Sequence, residues 1–337
     1  MQIQRQDSLN TIRLLAALQV VWNHASWHLE LSGACTIPVA KFLGFFHGIP
    51  IFFTLSGFLI WMSIGRSQSF VQYAKKRFWR IYPELWLGVF VEITTLLVLF
   101  KGVVDWPLLG VFAIGQATIF PMWVPAFLRT YGCGTPNGAL WSIFALVQFY
   151  ILAYPMYKLL HRKKAFTWIL WILGFVLLSL GYNCFKTFPD KVNSLLGVSF
   201  VPTFWMFMLG AFISEYKSTI IPMIIKFWYI PVAMRMVYLF LDVPDIPVFY
   251  GFSHTTICFF AALAIAYKFP RFNVATDVSY GVYIYHMTVI NAMIAMGFVG
   301  GGVAQYCIVV AVTLTFAVLS QKTVGRWAKN FKSKVTH

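Results

Sequence analysis

An all-α, polytopic membrane helix bundle is the fold class this sequence predicts, and three observations predict it. Of its residues 60% are hydrophobic and only 11% charged, with a mean hydropathy of +0.74, whereas soluble globular chains carry about 25% charged residues. The apolar residues come in continuous runs rather than strict alternation, which favours spanning helices over a transmembrane barrel. The Lys and Arg residues gather in short stretches beside those runs. That is the positive-inside pattern, so the net charge of +16 is read as topology and not as a nucleic-acid footprint.

About ten transmembrane helices are expected, at 10–29, 40–63, 82–100, 139–160, 165–183, 196–216, 219–241, 251–269, 278–298 and 302–321. The segment 104–130 is apolar but broken by Pro107, Pro121 and Pro125, and is expected to be re-entrant or interfacial on the outer side. Charge decides this. With that segment not spanning, nineteen of the 26 Lys and Arg residues fall on the cytoplasmic side, among them the cluster His161-Arg-Lys-Lys164. Five, Lys41, Lys101, Arg129, Lys186 and Lys191, fall outside, while Lys226 and Arg235 lie in the seventh span. That bias places the N and C termini in the cytoplasm.

The start, Met1 to Asp7, is polar, and the first apolar run lacks a small-residue cleavage site, so no cleavable signal peptide is expected. The absence of internal repeats and linkers predicts a single domain over 1–337. Its basic tail, 320–337, with Trp327 and Phe331, suits anionic lipid headgroups. The five cysteines show no ligand spacing, so no metal site is expected; Cys35, Cys133 and Cys184 fall in expected outer loops.

The chemistry is expected to centre on Arg13 to His24 in the first span. Ionisable groups inside a span are costly and tend to be functional. On a helix, eleven residues separate the guanidinium from the imidazole by roughly 16 Å along the axis. An imidazole suits proton abstraction from a hydroxyl or thiol; the plainer reading is a hydrogen-bonded structural histidine. Arg77 and Arg80 share a helix face and offer two guanidiniums to phosphates, or they anchor topology. Ser56 and Gly57 permit close backbone approach inside an apolar helix. Trp141 and Ser142 open the fourth span, with Gln148 and Tyr150 following. Ser279-Tyr-Gly-Val-Tyr-Ile-Tyr-His286 places a second imidazole in the ninth span.

These pieces, in this order, resemble membrane acyltransferase family 3, the O-acetyltransferases of bacterial surface polysaccharides such as O-antigen. The matches are Arg13-x10-His24, Pro50-Ile-Phe-Phe-Thr-Leu-Ser-Gly-Phe-Leu59, Arg77-x-x-Arg80-Ile-Tyr-Pro83, Trp141-Ser142 with Gln148-Phe149-Tyr150, and Ser279-Tyr280 with Tyr283 and His286. The resemblance implies a multi-pass protein of the bacterial inner membrane. Its donor would be cytoplasmic acetyl-CoA, and its acceptor a carbohydrate hydroxyl, often on a lipid-linked glycan. Arg13, Arg77 and Arg80 would hold the donor phosphates. His24 would deprotonate the acceptor or carry the acetyl group itself. Ser56, Trp141, Ser142, Gln148, Tyr150 and His286 would support the substrates or the site.

One departure stands out. The family's fourth-span glutamate is replaced here by Leu146 or Val147. Glu92 in the third span, with Glu84 on nearly the same face, is then the expected acid partner of an imidazole. Two other function classes compete: a transporter or flippase using His24, Glu92 and His286 as a proton relay, and an acetyltransferase for a small metabolite.

Overall fold

The computed structural model describes residues 7–118, 123–184, 190–241 and 243–335, and all regular secondary structure among them is helical. Met1, Pro121 and Lys186 of the sequence reading lie outside the described residues. In chain order the α-helices are α1 (Leu9–His28), α2 (Thr36–Gly44), α3 (Gly48–Gly65), α4 (Phe70–Leu99), α5 (Trp106–Ala117), α6 (Trp141–Leu160), α7 (Ala165–Cys184), α8 (Asp190–Gly197), α9 (Phe204–Glu215), α10 (Lys217–Lys226), α11 (Tyr229–Phe240), α12 (Phe252–Lys268), α13 (Ser279–Ala295), α14 (Val303–Ser320) and α15 (Arg326–Val335). A π-turn, Gln321–Gly325, joins the last two.

Among the described residues five helical segments are long and apolar enough to cross a membrane: α2 with α3, α4, 138–160, α7 and 303–331. A sixth is added if α9 and α10, bent by 93°, form one broken span. The expected seventh span, 219–241, is divided into α10 and α11, which meet at Phe227 and Trp228. Among its described residues, segment 104–130 holds the 12-residue α5 and a 3-10 turn, Ala126–Thr130. Twelve residues rise about 18 Å, well short of the ~30 Å hydrocarbon core. The start of α5 is set by Asp105, whose carboxylate accepts from Leu108 N at 3.1 Å, with Pro107 in the first turn, where no amide hydrogen is missed.

Contacts divide the chain into two compact units, each assembled from three separated stretches. The first comprises 1–16, 44–73 and 145–276. In it α3 lies along α9. A Cβ at Gly57 would strike the Phe207 carbonyl, and one at Gly210 the Thr54 carbonyl, so both glycines exist to let the two backbones meet. Ser56 sits half-buried beside that notch. Arg235 on α11 is 1% exposed. It donates to the carbonyls of Phe45, at 3.0 Å, and Gly44, satisfying the C-terminal end of α2. His47 and His254 pair beside it at 2.7 Å.

The second unit comprises 17–43, 74–144 and 277–337. Here α13 packs along α14, and Leu96, Leu109, Phe112, Leu128 and Tyr131 form a small core that seats the 104–130 segment on α4. Gly132, at φ +56°, passes so close to Asn291 that a side chain there would collide with its amide.

Candidate active site

The second unit holds the imidazole of α1. Val20, Val21 and Ala25 are buried at 4% exposure or less, which fixes the face of α1 that turns inward and leaves His24 half-buried at its edge. Helix α13 is buried almost throughout, and His286 on it is fully buried. His24 Nδ1 and His286 Nε2 are 2.8 Å apart, with ring centroids separated by 5.0 Å and ring planes 17° apart. His28, one turn further along α1, stacks at 6.1 Å on His24. The Tyr306 hydroxyl donates to Leu18 O at 3.1 Å, and its ring meets Trp22 edge-on, holding α1 to α14.

The protons of this pair follow from one contact. His286 Nδ1 is 2.7 Å from the Tyr283 carbonyl. A carbonyl only accepts, so Nδ1 carries hydrogen and, in neutral His286, Nε2 is the bare acceptor. His24 must then donate through Nδ1–H, which leaves His24 Nε2 as the basic nitrogen. If Nε2 takes a proton, the Nδ1–H bond to His286 becomes charge-assisted and stronger.

Around the pair, the hydroxyls of Ser142 and Tyr283 lie 2.7 Å apart, and Tyr283 donates to Ala139 O at 2.9 Å. The opening turn of α6 is thereby fixed to α13 one turn before His286, whose ring centroid is 5.7 Å from that of Tyr283. Trp141 is the half-buried first residue of the same turn.

Glu92 is 2% exposed. Its Oε2 accepts from Asn137 Nδ2 at 3.5 Å, and the same amide reaches Ile284 O at 3.0 Å. No hydrogen bond among the described residues links Glu92 to His24 or His286, and the side chain that His24 meets is the His286 imidazole. Gln148 and Tyr150 belong to the first unit. Gln148 bridges Val198 O at 3.4 Å and Phe200 N at 3.1 Å, shaping the approach to α9, and the Tyr150 carbonyl accepts from the Tyr73 hydroxyl at 3.0 Å. Arg13 stands half-buried on α1 in that unit too.

Arg77 and Arg80 lie half-buried on α4 in the second unit. Arg80 pairs with Asp277 at 2.9 Å and stands 5.6 Å over the Tyr280 ring. Asp277 also accepts from Ser279 N at 3.1 Å and Ser279 Oγ at 2.6 Å, fixing the start of α13. Beside Arg80 opens a cavity of about 240 Å³ lined by Trp79, Arg80, Pro83, Glu84, Gln321, Gly325, Ala328 and Lys329.

Three supports lay outside the sequence reading. Asp277 pairs with Arg80, and Asn137 donates to Glu92. Asn291 on α13 laces the 132–137 loop in place, accepting from Cys133 N at 2.7 Å and donating to Thr135 O and Pro136 O at 3.1 and 2.9 Å. A signal existed for Asn291. A primary amide inside an apolar run costs free energy unless it is bonded.

Fold and site together define a multi-pass helical membrane protein with an imidazole pair and a cavity bordered by cations in one unit. The chain belongs to the family described as the acyltransferase domain, whose family model matches residues 6–321. It is 28% identical over 324 residues to nodulation protein 10 of Rhizobium leguminosarum bv. viciae, covering 88% of this chain and 86% of the relative. It is 29% identical over 328 residues to an O-acetyl transferase of Shigella phage Sf6, covering 88% and 89%. No solved structure matches the chain.

Proposed function

We propose that this acyltransferase moves an acetyl group from cytoplasmic acetyl-CoA to a hydroxyl of a cell-surface or lipid-linked carbohydrate, as a multi-pass protein of the bacterial inner membrane. The observation that carries the proposal is the His24–His286 pair, which leaves His24 Nε2 as a base without needing the absent fourth-span carboxylate. The Shigella phage relative is named for O-acetyl transfer, which supports an oxygen acceptor. The donor side is supported by the cavity beside Arg80, whose cations suit the nucleotide phosphates. Arg77, three residues earlier, shares that helix face. The basic stretches support ten spans with both termini cytoplasmic.

Bound acetyl-CoA supplies the thioester. His24 Nε2 takes the proton of the acceptor hydroxyl as its oxygen forms the new C–O bond to the acetyl carbon. The C–S bond breaks, and His24 returns the proton to the departing sulfur. Throughout, His286 Nε2 accepts from His24 Nδ1 and stabilises the imidazolium, the office a carboxylate fills in a hydrolase triad. Tyr283 fixes His286 through its carbonyl, and Ser142 fixes Tyr283 through its hydroxyl.

Purified protein in nanodiscs should release CoA thiol from acetyl-CoA only when a glycan acceptor is present, and His24→Ala should lower that rate by about 10³-fold with unchanged folding. Near wild-type release by the variant would sink the base assignment.

A further inference from the structure

The tail expected to rest on lipid headgroups does something more specific. After the π-turn, α15 folds back onto α4. Trp327 and Phe331, four residues apart and so on one face, both meet the Trp79 ring, at centroid distances of 5.5 and 4.8 Å. Ala328 between them is 4% exposed. The cavity beside Arg80 is thus walled on one side by α4 and on the other by the π-turn and α15, in a segment beyond the end of the family match at residue 321.

Its lining is polarised. Arg80 comes from α4 and the exposed Lys329 from α15, so two cations of different helices border one cavity. Glu84 lies deep, 6% exposed, with Ser320 donating to it at 3.3 Å. Residues 321–337 contain no Asp or Glu but carry Lys322, Arg326, Lys329, Lys332 and Lys334, so nothing acidic in the tail competes for an anion. The volume of about 240 Å³ is below the roughly 300–1,000 Å³ of sites that enclose a whole drug-sized ligand, so the cavity takes one end of a ligand. Cations from two helices, with an indole on the wall, suit a phosphate-bearing end.

We propose that α15 is the second wall of a phosphate site in which Lys329, opposite Arg80, takes the nucleotide phosphates of the acyl donor. The proposal rests on the acyl-CoA reading above. The same chemistry is offered by the phosphate of an anionic lipid, and the test separates the two.

Acetyl-CoA affinity is measured on the full chain in nanodiscs of phosphatidylcholine alone and of phosphatidylcholine with phosphatidylglycerol. Lys329→Ala should raise the acetyl-CoA Kd about fivefold in both lipids, and Lys329→Arg should restore it, the size expected for one exposed charge contact. Lys322→Ala, a neighbouring charge outside the cavity lining, should leave Kd unchanged. An effect confined to the phosphatidylglycerol discs, or an equal effect of Lys322→Ala, would overturn the site in favour of headgroup binding or a diffuse field. An unchanged Kd for Lys329→Ala alongside weakening by Arg80→Ala would overturn it while the donor reading stands. Failure of the wild-type chain to bind acetyl-CoA at all would sink the donor reading and this one with it.

Discussion

His24 and His286 are 262 residues apart in the chain, yet their ring nitrogens lie 2.8 Å apart, with the ring planes inclined by only 17°. The Tyr283 carbonyl fixes the proton on His286, and in the proposed mechanism His286 acts through His24, as a positioning residue. His286→Ala should lower kcat by about 10²-fold and leave the KM for acetyl-CoA unchanged. His286→Gln, whose amide oxygen can still accept from Nδ1–H, should recover part of that loss. Equal losses in the two variants, or a rise in KM that accounts for the whole effect, would remove the positioning role.

Glu92→Gln should turn over at the wild-type rate across pH 6 to 8. The amide keeps an oxygen to accept from Asn137, and the charge it removes has no imidazole to serve. A kcat that falls tenfold or more, with expression intact, would show that the carboxylate reaches the reaction after all. The readout is initial rate against pH at saturating acetyl-CoA.

Arg80→Ala should weaken acetyl-CoA binding about tenfold, the loss of one charge-assisted contact. Asp277→Asn should change it by less than about twofold, since the half-exposed ion pair contributes little and Asn can still accept from Ser279 N. If Asp277→Asn weakens binding as much as Arg80→Ala does, the carboxylate is what aims the guanidinium. Titration of labelled donor against each variant decides.

Gly57→Val should destabilise the first unit by about 1–3 kcal/mol, because the new side chain must push α9 away from α3, and the midpoint of thermal unfolding in nanodiscs should fall accordingly. Ser56→Ala, one residue away and half-buried beside the notch, should leave that midpoint unchanged. A Gly57→Val chain as stable as wild type would mean that α3 and α9 separate at little cost.

Candidate residues stood out because polar groups in apolar runs are expensive and therefore conspicuous. Arg13, His24 and His286 could be picked out one at a time on that ground, and Arg80 by its spacing from Arg77. The contact that pairs His24 with His286 was not visible. Nothing local says that the partner of His24 is His286 and not Glu92, since that pairing is made by helix packing across most of the chain. Segment 104–130 was readable from its prolines, and α5 is indeed too short to span. The break between α10 and α11 was hidden, because hydropathy averaged over a span-length window does not register a two-residue interruption. The docking of α15 escaped for a related reason. Its charges suggested a headgroup surface, while the contacts that seat it run through Trp79, a residue read only as a spacer between two arginines.

The interleaving of the second unit has a consequence for biogenesis. Its stretches 17–43 and 277–337 stand at opposite ends of the chain, so α1 enters the bilayer long before α13 leaves the ribosome. At an elongation rate of about 5–20 residues per second, at least ten seconds pass with the His24 imidazole lacking its acceptor. For that interval the cost of a polar group in hydrocarbon must be met by water, headgroups or the insertion machinery. A chain interrupted before α13 lacks the acceptor that the proposed mechanism gives to His24.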